Sequence, residues 1–220
     1  MRALRPAVAF VSDSSRRLIE PYLTWDAERF DCLNYVDADK FQHGFDADCE
    51  AYLFVGRLSP EKGCDLFCEA ASRAGVDAIV IGDGTELKRL SDSYPDIKFM
   101  GALSHDEVLS VMGRSRAIVM PSVCRETFGL VAYEAMIAAG LPCIVSDVGD
   151  AASFVRSKGL GEIFSAGSAE SLSNAMVNML DPDVCSRYRK AVEKADFSCL
   201  EKTAYVERLI SIYDQLIAEH

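Results

Sequence analysis

Short apolar runs alternate along the chain with longer segments in which apolar residues recur every three to four positions. The short runs fit buried strands and occupy residues 51–55, 78–81, 97–99, 117–120, 143–146 and 161–164. Between them, segments such as residues 64–74 have the apolar spacing of a helix packed on a core. Alternation of strands with helices indicates βαβ units. The sequence therefore predicts an α/β fold in which a parallel sheet carries helices on both faces.

The loop after the first of these strands carries two cations. Gly56 and Arg57 follow the strand directly, and Lys62 and Gly63 precede the next helix. Ligands of open α/β sheets bind beyond the carboxyl ends of the strands, so we expect both cations at the ligand crevice. Arg57 can hold a phosphate with its planar guanidinium, and Lys62 offers a compact point charge. The alternative is an ordinary solvated loop with two unrelated cations.

Two glutamates eight positions apart, Glu126 and Glu134, bracket the start of another predicted helix. Thr127 is the expected N-cap, and Gly140 is a strong stop signal. The first acid is therefore expected in a polar loop, and the second acid on the helix itself.

The amino end of this helix is suited to an anion. The unpaired N–H groups of its first turn are expected near Phe128, Gly129 and Leu130, and Gly129 has no side chain to block approach. Such an end favours an anion, while Glu126 and Glu134 can accept hydrogen bonds from hydroxyl groups. A ligand that combines an anionic group with several hydroxyls is a sugar phosphate or a nucleotide sugar. The alternative is that Glu126 is only an acid near the cap and Glu134 only a solvated helix residue.

Further motifs accompany these two segments in a fixed order. They are Gly82-Asp83-Gly84, Phe99-Met100-Gly101 with Ser104-His105-Asp106-Glu107, Pro121-Ser122, the stretch from Glu126 to Leu130, Glu134-Ala135, and Ala138-Ala139-Gly140-Leu141-Pro142. Together with Gly56-Arg57 and Lys62-Gly63, they resemble the C-terminal, donor-binding domain of GT-B glycosyltransferases, in particular the retaining family 4. The resemblance covers roughly residues 8–215. It implies a single Rossmann-like domain, the C-terminal half of a GT-B fold, with a long C-terminal helix.

The resemblance also implies a role for each matching residue. Arg57 and Lys62 would neutralise the donor diphosphate and the leaving nucleoside diphosphate, and Glu126 would face the donor sugar, so these three are the implied catalytic residues. The implied donor-binding residues are Gly56, Gly82, Gly84, Met100, Phe128, Gly129, Leu130 and Glu134, the last of them near the ribose. Preorganised cations stabilise the charge that builds on a leaving diphosphate. No metal and no other cofactor is therefore required.

The implied function is retaining hexosyl transfer from a nucleoside-diphosphate sugar, with this chain as the donor-binding half. Two alternatives stay open: a non-catalytic module that binds a nucleotide sugar, and a GT-B-like epimerase of nucleotide sugars. The pair Gly149-Asp150 departs from the Gly-Gly of the family. A carboxylate near a diphosphate is unfavourable unless it points away or serves as an acceptor.

The 220 residues suit one such domain with appendages. The expected divisions are residues 1–41 for the remnant of an N-terminal domain and an interdomain segment, 42–50 for a linker, 51–199 for the nucleotide-sugar-binding domain and 200–220 for a crossover helix. The first 40 residues are expected to supply at most one strand and one helix of the acceptor half. An acceptor-binding domain or a partner chain is therefore expected, and the apolar C-terminal helix offers a surface for self-association.

A net charge of −11 argues against nucleic acid and anionic membrane surfaces as partners. No apolar run approaches the ~20 residues of a spanning helix, and no signal peptide is recognised.

The eight cysteines contain no Cys-x-x-Cys pair, so we expect thiols of a reducing cytoplasm. Cys124 lies beside the candidate site. Three Asp-x-Asp triplets, beginning at Asp37, Asp46 and Asp181, are not expected to hold a metal.

Overall fold

A computed structural model describes residues 6–37 and 51–218. In chain order the elements are β1 (Ala7–Phe10), α1 (Asp13–Ile19), β2 (Glu28–Asp31), β3 (Tyr52–Val55), α2 (Cys64–Ala74), β4 (Ala78–Ile81), α3 (Leu87–Ser93), β5 (Lys98–Phe99), α4 (His105–Met112), β6 (Ala117–Met120), α5 (Leu130–Ala139), β7 (Cys143–Ser146), α6 (Asp150–Lys158), β8 (Gly161–Phe164), α7 (Ala169–Asn178), α8 (Pro182–Lys194) and α9 (Lys202–Ala218). The predicted linker, residues 42–50, lies outside the described residues.

The main sheet is parallel and has the strand order β5-β4-β3-β6-β7-β8. The chain runs outward from β3 to β5 and then returns to place β6 on the other side of β3. This reversal is a topological switch point, the place where open α/β sheets bind ligands beyond the carboxyl ends of their strands. The predicted parallel sheet is confirmed; its first strand begins at Tyr52 and its third at Lys98, each one residue later than expected.

Both faces of the sheet are apolar, because successive strand residues point to opposite sides. Tyr52 and Phe54 join Val80 in a core that includes residues of α2 and α7, whereas Leu53 and Ile118 join a second core with α4 and α5. Burial on both faces explains why these strands are unbroken apolar runs rather than alternating ones. The predicted cover of helices on both faces is therefore confirmed.

Residues 6–37 form a small unit of their own, in which β1 pairs in parallel with β2. The second strand corrects the expectation of one strand and one helix. Glu28–Asp31 was missed because the strand is short and three of its four residues are charged, which gives no apolar run. The unit contacts the C-terminal segment around the start of the last helix. The Val36 N–H donates to the Leu200 carbonyl at 2.9 Å, and the ring centroids of Tyr35 and Tyr205 are 5.2 Å apart.

The C-terminal helix α9 begins at Lys202, two residues later than predicted, because a short 3₁₀ turn precedes it. One of its apolar stripes is half-buried, whereas the neighbouring stripe is exposed; the exposed residues are Val206, Ile210, Tyr213 and Ile217. Neither α9 nor any other helix within residues 6–37 and 51–218 is long and apolar enough to cross a membrane.

Candidate functional site

Three loops lie side by side at the carboxyl edge of the sheet, after β3, β4 and β5. The Leu58 N–H donates to the Asp83 carbonyl at 2.9 Å, and the Gly82 N–H donates to the Gly101 carbonyl at 2.8 Å. A Cβ added to Gly82 would lie 1.9 Å from the carbonyl oxygen of Gly56, so only glycine allows the first two loops to approach this closely. The predicted site residues Gly56 and Gly82 are thus brought together.

Gly84 and Met100 complete this edge. A Cβ on Gly84 would lie 2.3 Å from the Leu58 carbonyl oxygen, so Gly84 also fixes the approach of the first two loops. The Met100 N–H donates to the Val80 carbonyl at 2.9 Å, and its side chain packs on the second core. Met100 therefore has its N–H engaged and its side chain directed inward.

The loop that carries the two cations is held against the loop after β6. Gly63 has a left-handed backbone with φ 69°, and a Cβ there would lie 2.1 Å from the carbonyl oxygen of Pro121. The Val123 N–H donates to the Glu61 carbonyl at 3.1 Å. These two contacts place the Arg57–Lys62 turn beside Glu126, which is more than sixty residues later in the chain.

Lys62 and Glu126 form the centre of the candidate site. The Lys62 Nζ donates to Glu126 Oε1 at 2.8 Å, and their side chains are 31% and 19% exposed. The Ser122 hydroxyl donates to the same oxygen. The other oxygen, Oε2, lies 3.7 Å from the position of a Cβ on Gly129 and accepts no hydrogen bond from any residue that the structure describes. Glu126 therefore keeps one acceptor oxygen for a ligand.

Arg57 does not share this contact. Its guanidinium pairs with Glu61 at 3.0 Å, and its side chain is 68% exposed. The pKa of Glu61 lies below its ordinary value, first because the Ser59 hydroxyl donates to it at 2.7 Å, with the Arg57 charge adding to the effect. Exposed ion pairs of this kind contribute little to stability. Arg57 can therefore exchange Glu61 for an incoming anion at small cost.

The helix behind Glu126 begins later than predicted. The N-cap of α5 is Gly129, in a left-handed conformation with φ 82°, and the first helical residue is Leu130. The predicted N-cap Thr127 is wrong, because its carbonyl accepts the hydroxyl of Ser12 and the chain turns into the helix only at Gly129. The first N–H groups of the helix itself accordingly belong to Leu130 and Val131.

Phe128 anchors the turn before α5. Its side chain is 4% exposed, and its ring stacks on that of Tyr133 at 4.7 Å. Only the backbone of Phe128 is therefore open to a ligand. Leu130, by contrast, is 40% exposed at the helix start, so its side chain faces solvent.

Glu134 lies one turn into α5, where it is half-buried. Burial raises the pKa of its carboxyl, and His105 at the start of α4 partly offsets this. His105 shares a helix stripe with Leu109 and Met112, which pack on the same core as α5. His105 lies in the cap region, directly after the N-cap Ser104.

The raised pKa of Glu134 gives a pH-dependent prediction. The folded state keeps this proton more tightly than the unfolded chain does, so the destabilising effect is absent below the ordinary pKa of 4.5 and develops as pH rises through the raised pKa. We expect Glu134→Gln to increase the free energy of unfolding at pH 7 and to lose this advantage below about pH 4. Urea denaturation at both pH values is the measurement. Glu193→Gln on α8 controls for net charge, and an equal gain at both pH values would contradict the prediction.

Asp150 occupies the position where the resembling family has a second glycine. Its carboxylate accepts the backbone N–H of Ser14 at 3.2 Å. Burial raises the pKa of Asp150, while the Ser14 N–H lowers it and the charge of Asp13 raises it further. Asp150 thus serves as a hydrogen-bond acceptor for α1. A carboxylate with such a role is compatible with a nearby diphosphate, as the sequence analysis required.

Two serines that the sequence analysis did not assign support the site. The Ser122 hydroxyl contacts Glu126, and the Ser146 hydroxyl donates to the Ser122 carbonyl at 2.8 Å. The sequence did contain one indication of the role of Ser122, since this residue lies four positions before Glu126 and shortly after a strand. Ser146 gave no signal of this kind, because its contact depends on the pairing of β6 with β7.

No group of three or more His, Cys, Asp or Glu within the described ranges is placed to hold a metal ion. Asp181 instead caps α8 by accepting the Asp183 N–H at 2.8 Å. The cysteines that the structure describes are free thiols; most are buried, Cys124 is partly exposed and Cys199 is exposed.

The sequence and the fold both match those of known proteins. A family model described as glycosyl transferases group 1 matches residues 36–196. The chain is 36% identical over 91 residues to a GDP-mannose-dependent alpha-mannosyltransferase of Corynebacterium glutamicum, which covers 41% of this chain and 22% of that protein. It is 28% identical over 207 residues to a phosphatidyl-myo-inositol mannosyltransferase of Mycobacterium leprae, which covers 86% of this chain and 54% of that protein.

Solved structures show the same fold. A sucrose-phosphate synthase from Thermosynechococcus elongatus superimposes with a TM-score of 0.82 at 22% identity, over 97% of this chain and 59% of that chain. The chain thus spans about half, or less, of the length of the relatives that it matches. Because the family model covers well over half of the chain, the protein belongs to the group 1 glycosyl transferases, and it has the fold of their C-terminal GT-B domain.

Proposed function

We propose that this chain is the donor-binding half of a retaining glycosyltransferase that transfers a hexosyl group from a nucleoside-diphosphate sugar. The contact between Lys62 and Glu126 carries the proposal. It joins a cation that can bind phosphate to a carboxylate that can accept sugar hydroxyls, at the carboxyl edge of a parallel sheet and in front of a helix.

The diphosphate would lie between Lys62 and the amino end of α5. Lys62 is only 31% exposed, so its charge is less screened than that of a surface lysine. The unpaired N–H groups of Leu130 and Val131 add partial positive charge at the helix start. Arg57, at the outer side of the loop, would exchange Glu61 for a phosphate oxygen and hold it with its planar guanidinium.

The sugar and the nucleoside would occupy the two sides of this diphosphate. Glu126 Oε2 is open to a sugar hydroxyl, because Lys62 and Ser122 both occupy Oε1. The half-buried carboxylate of Glu134, one turn into α5, can accept a hydrogen bond from a ribose hydroxyl. The loops that contain Gly82 and Met100 would border the base and the phosphates.

The chemistry follows from the placement of charge. Cleavage of the bond between the sugar and the phosphate builds negative charge on the leaving diphosphate. Once the donor has bound, Lys62, Arg57 and the helix start would already lie beside the diphosphate, so they would stabilise this charge with little further reorganisation. In this proposal the two cations act in place of a metal ion.

The names of the relatives suggest the first donor to test. Two proteins that share 36% and 38% identity with this chain over 91 and 96 residues are named GDP-mannose-dependent alpha-mannosyltransferases. We therefore propose GDP-mannose as the leading donor, with the uridine and adenosine diphosphate sugars as its rivals.

The acceptor would be bound by another domain or by a partner chain. The sheet formed by β1 and β2 has two parallel strands, whereas parallel sheets are normally larger and covered on both faces. The neighbouring residues Leu18, Tyr22 and Trp25 are exposed, as is one stripe of α9. These surfaces suit an acceptor half or self-association, and the free thiols suit the cytoplasm.

A thermal-shift panel tests the proposed binding. Guanosine, uridine and adenosine diphosphates and their hexose conjugates are compared with the corresponding nucleosides and with inorganic phosphate. A ligand at one hundred times its Kd adds about 2.7 kcal/mol to the free energy of unfolding. We expect such a shift with at least one nucleoside diphosphate and with its sugar. No shift with any of them would refute the proposal, and a nucleotide sugar converted without any acceptor would support an epimerase instead.

Glu126→Gln separates sugar recognition from phosphate recognition. The neutral amide accepts a weaker hydrogen bond than a carboxylate, so affinity for the nucleotide sugar is expected to fall about 5- to 10-fold. Affinity for the bare diphosphate should stay constant or rise, because Lys62 loses a competing anion. Calorimetry with both ligands measures this, with Glu193→Gln as the control. Equal weakening of both ligands would mean that Glu126 only supports the loop.

A further inference from the structure

Ser122 is a buried hydroxyl at the centre of the candidate site. Its residue is 5% exposed, and its Oγ donates to Glu126 Oε1, the oxygen that also accepts Lys62 at 2.8 Å. Both donors therefore reach one oxygen of the carboxylate. The second oxygen is left facing Gly129 at the start of α5.

The position of Ser122 is itself fixed from the core. Its carbonyl accepts the hydroxyl of Ser146 at 2.8 Å, and Ser146 is 3% exposed on the buried strand β7. On its other side, the carbonyl oxygen of Pro121 lies close against Gly63. A short and rigid side chain thus connects Glu126 to two strands of the sheet, whereas Lys62 reaches it through a flexible four-carbon stem.

We propose that Ser122 is a positioning residue for Glu126: by holding Oε1, it keeps Oε2 directed to the hydroxyl groups of the donor sugar. This inference rests on the proposed function. Glu126 needs a second donor because Lys62, its other partner, is also a candidate phosphate ligand. When a phosphate binds, Lys62 is drawn toward it, and the serine keeps the carboxylate in place.

Loss of the hydroxyl has a defined consequence. Without Ser122, Lys62 is the remaining described donor to Glu126, and a lysine ammonium can engage both oxygens of a carboxylate. The carboxylate would turn toward Lys62 and lose the orientation that presents Oε2 to the ligand. Sugar recognition should therefore suffer more than diphosphate binding.

Calorimetry on Ser122→Ala in the whole chain tests this, with GDP and GDP-mannose as the probes, or with the pair that gives the largest shift in the panel. We expect affinity for the nucleotide sugar to fall about 5- to 20-fold, and affinity for the diphosphate to stay within about 2-fold. Ser115→Ala is the matched control, since its buried hydroxyl donates to the Val111 carbonyl at 2.8 Å before β6, at the opposite edge of the sheet. Equal weakening of both ligands would overturn the inference, because a purely structural serine acts on both.

A double substitution sharpens the test. If Ser122 acts through Glu126, its replacement should have no further effect on sugar affinity in a Glu126→Ala background. An undiminished effect there would mean that Ser122 contacts the ligand itself, which also contradicts a positioning role.

A ligand-free measurement separates this inference from the proposed function. In a crystal structure of Ser122→Ala, the Glu126 carboxylate is expected to turn toward Lys62. A carboxylate that keeps its orientation would overturn the inference whether or not a nucleotide binds. Failure of the wild-type chain to bind any nucleotide would instead refute the proposed function, and the orientation of the carboxylate would still show whether Ser122 holds Glu126.

Discussion

Lys62→Ala is expected to weaken binding of a nucleoside diphosphate about 10- to 100-fold, the loss of one charge-assisted phosphate contact. The effect should exceed that of Arg57→Ala. Lys62 is the less exposed of the two and lies on Glu126, whereas Arg57 is 68% exposed and already paired with Glu61. Calorimetry on the two variants measures which substitution weakens binding of the nucleoside diphosphate more.

The matched control for this prediction is Lys190→Ala, which removes the same charge from an exposed position on α8. Its affinity should equal that of the wild type. If Lys62→Ala also binds with unchanged affinity, the cation loop is not part of the site. If Arg57→Ala proves the weaker binder, the diphosphate lies farther out than the geometry of Lys62 indicates.

Gly63→Ala is expected to produce a large loss of stability. The left-handed backbone with φ 69° is unfavourable for alanine, and the new Cβ would lie 2.1 Å from the Pro121 carbonyl oxygen. Strain and overpacking of this kind together cost about 3 kcal/mol or more. The displaced carbonyl belongs to the residue before Ser122, so nucleotide binding should be impaired in the fraction that still folds.

Gly75→Ala is the control, because it measures the cost of a left-handed backbone without a steric clash at the new Cβ. Its φ is 64°, but nothing lies within 4 Å of an added Cβ. The expected loss is about 1 kcal/mol, the cost of a left-handed alanine alone. Urea denaturation of both variants measures the difference. Similar losses for the two would show that the cation loop is not pressed against Pro121.

The strands were predictable because they are buried on both faces. A run such as Ala78–Ile81 is apolar without interruption, and such runs end where polar loops begin. By the same reasoning β2 could not be found, since Glu28–Asp31 contains an acid at each end and an arginine between them. The local pattern thus identified the main sheet and missed the second strand of the small N-terminal unit.

The start of α5 was mispredicted for a non-local reason. Thr127 is a good N-cap by composition, but its carbonyl accepts the hydroxyl of Ser12, which lies 115 residues earlier. The turn is made by Gly129 instead, where φ is 82°. A similar contact across the chain decides the position of Asp150, whose carboxylate accepts the N–H of Ser14. Propensity alone carries no information about such partners.

The sequence grouped the candidate site residues, but it did not reveal which of them pair with each other. The order of motifs identified Arg57, Lys62 and Glu126 as one group. The sequence could not show that Lys62 contacts Glu126 while Arg57 contacts Glu61, because this depends on the approach of two loops at Gly63. That pairing is what separates the expected effects of the two cations.

A crystal structure of the chain with the nucleoside diphosphate that binds most tightly in the panel tests the central claim most directly. We predict that a phosphate oxygen lies about 3 Å from Lys62 Nζ, in front of the first turn of α5, with the base beside the loops after β4 and β5. A nucleotide bound elsewhere on the protein, with the pairing of Lys62 and Glu126 undisturbed, would contradict the account.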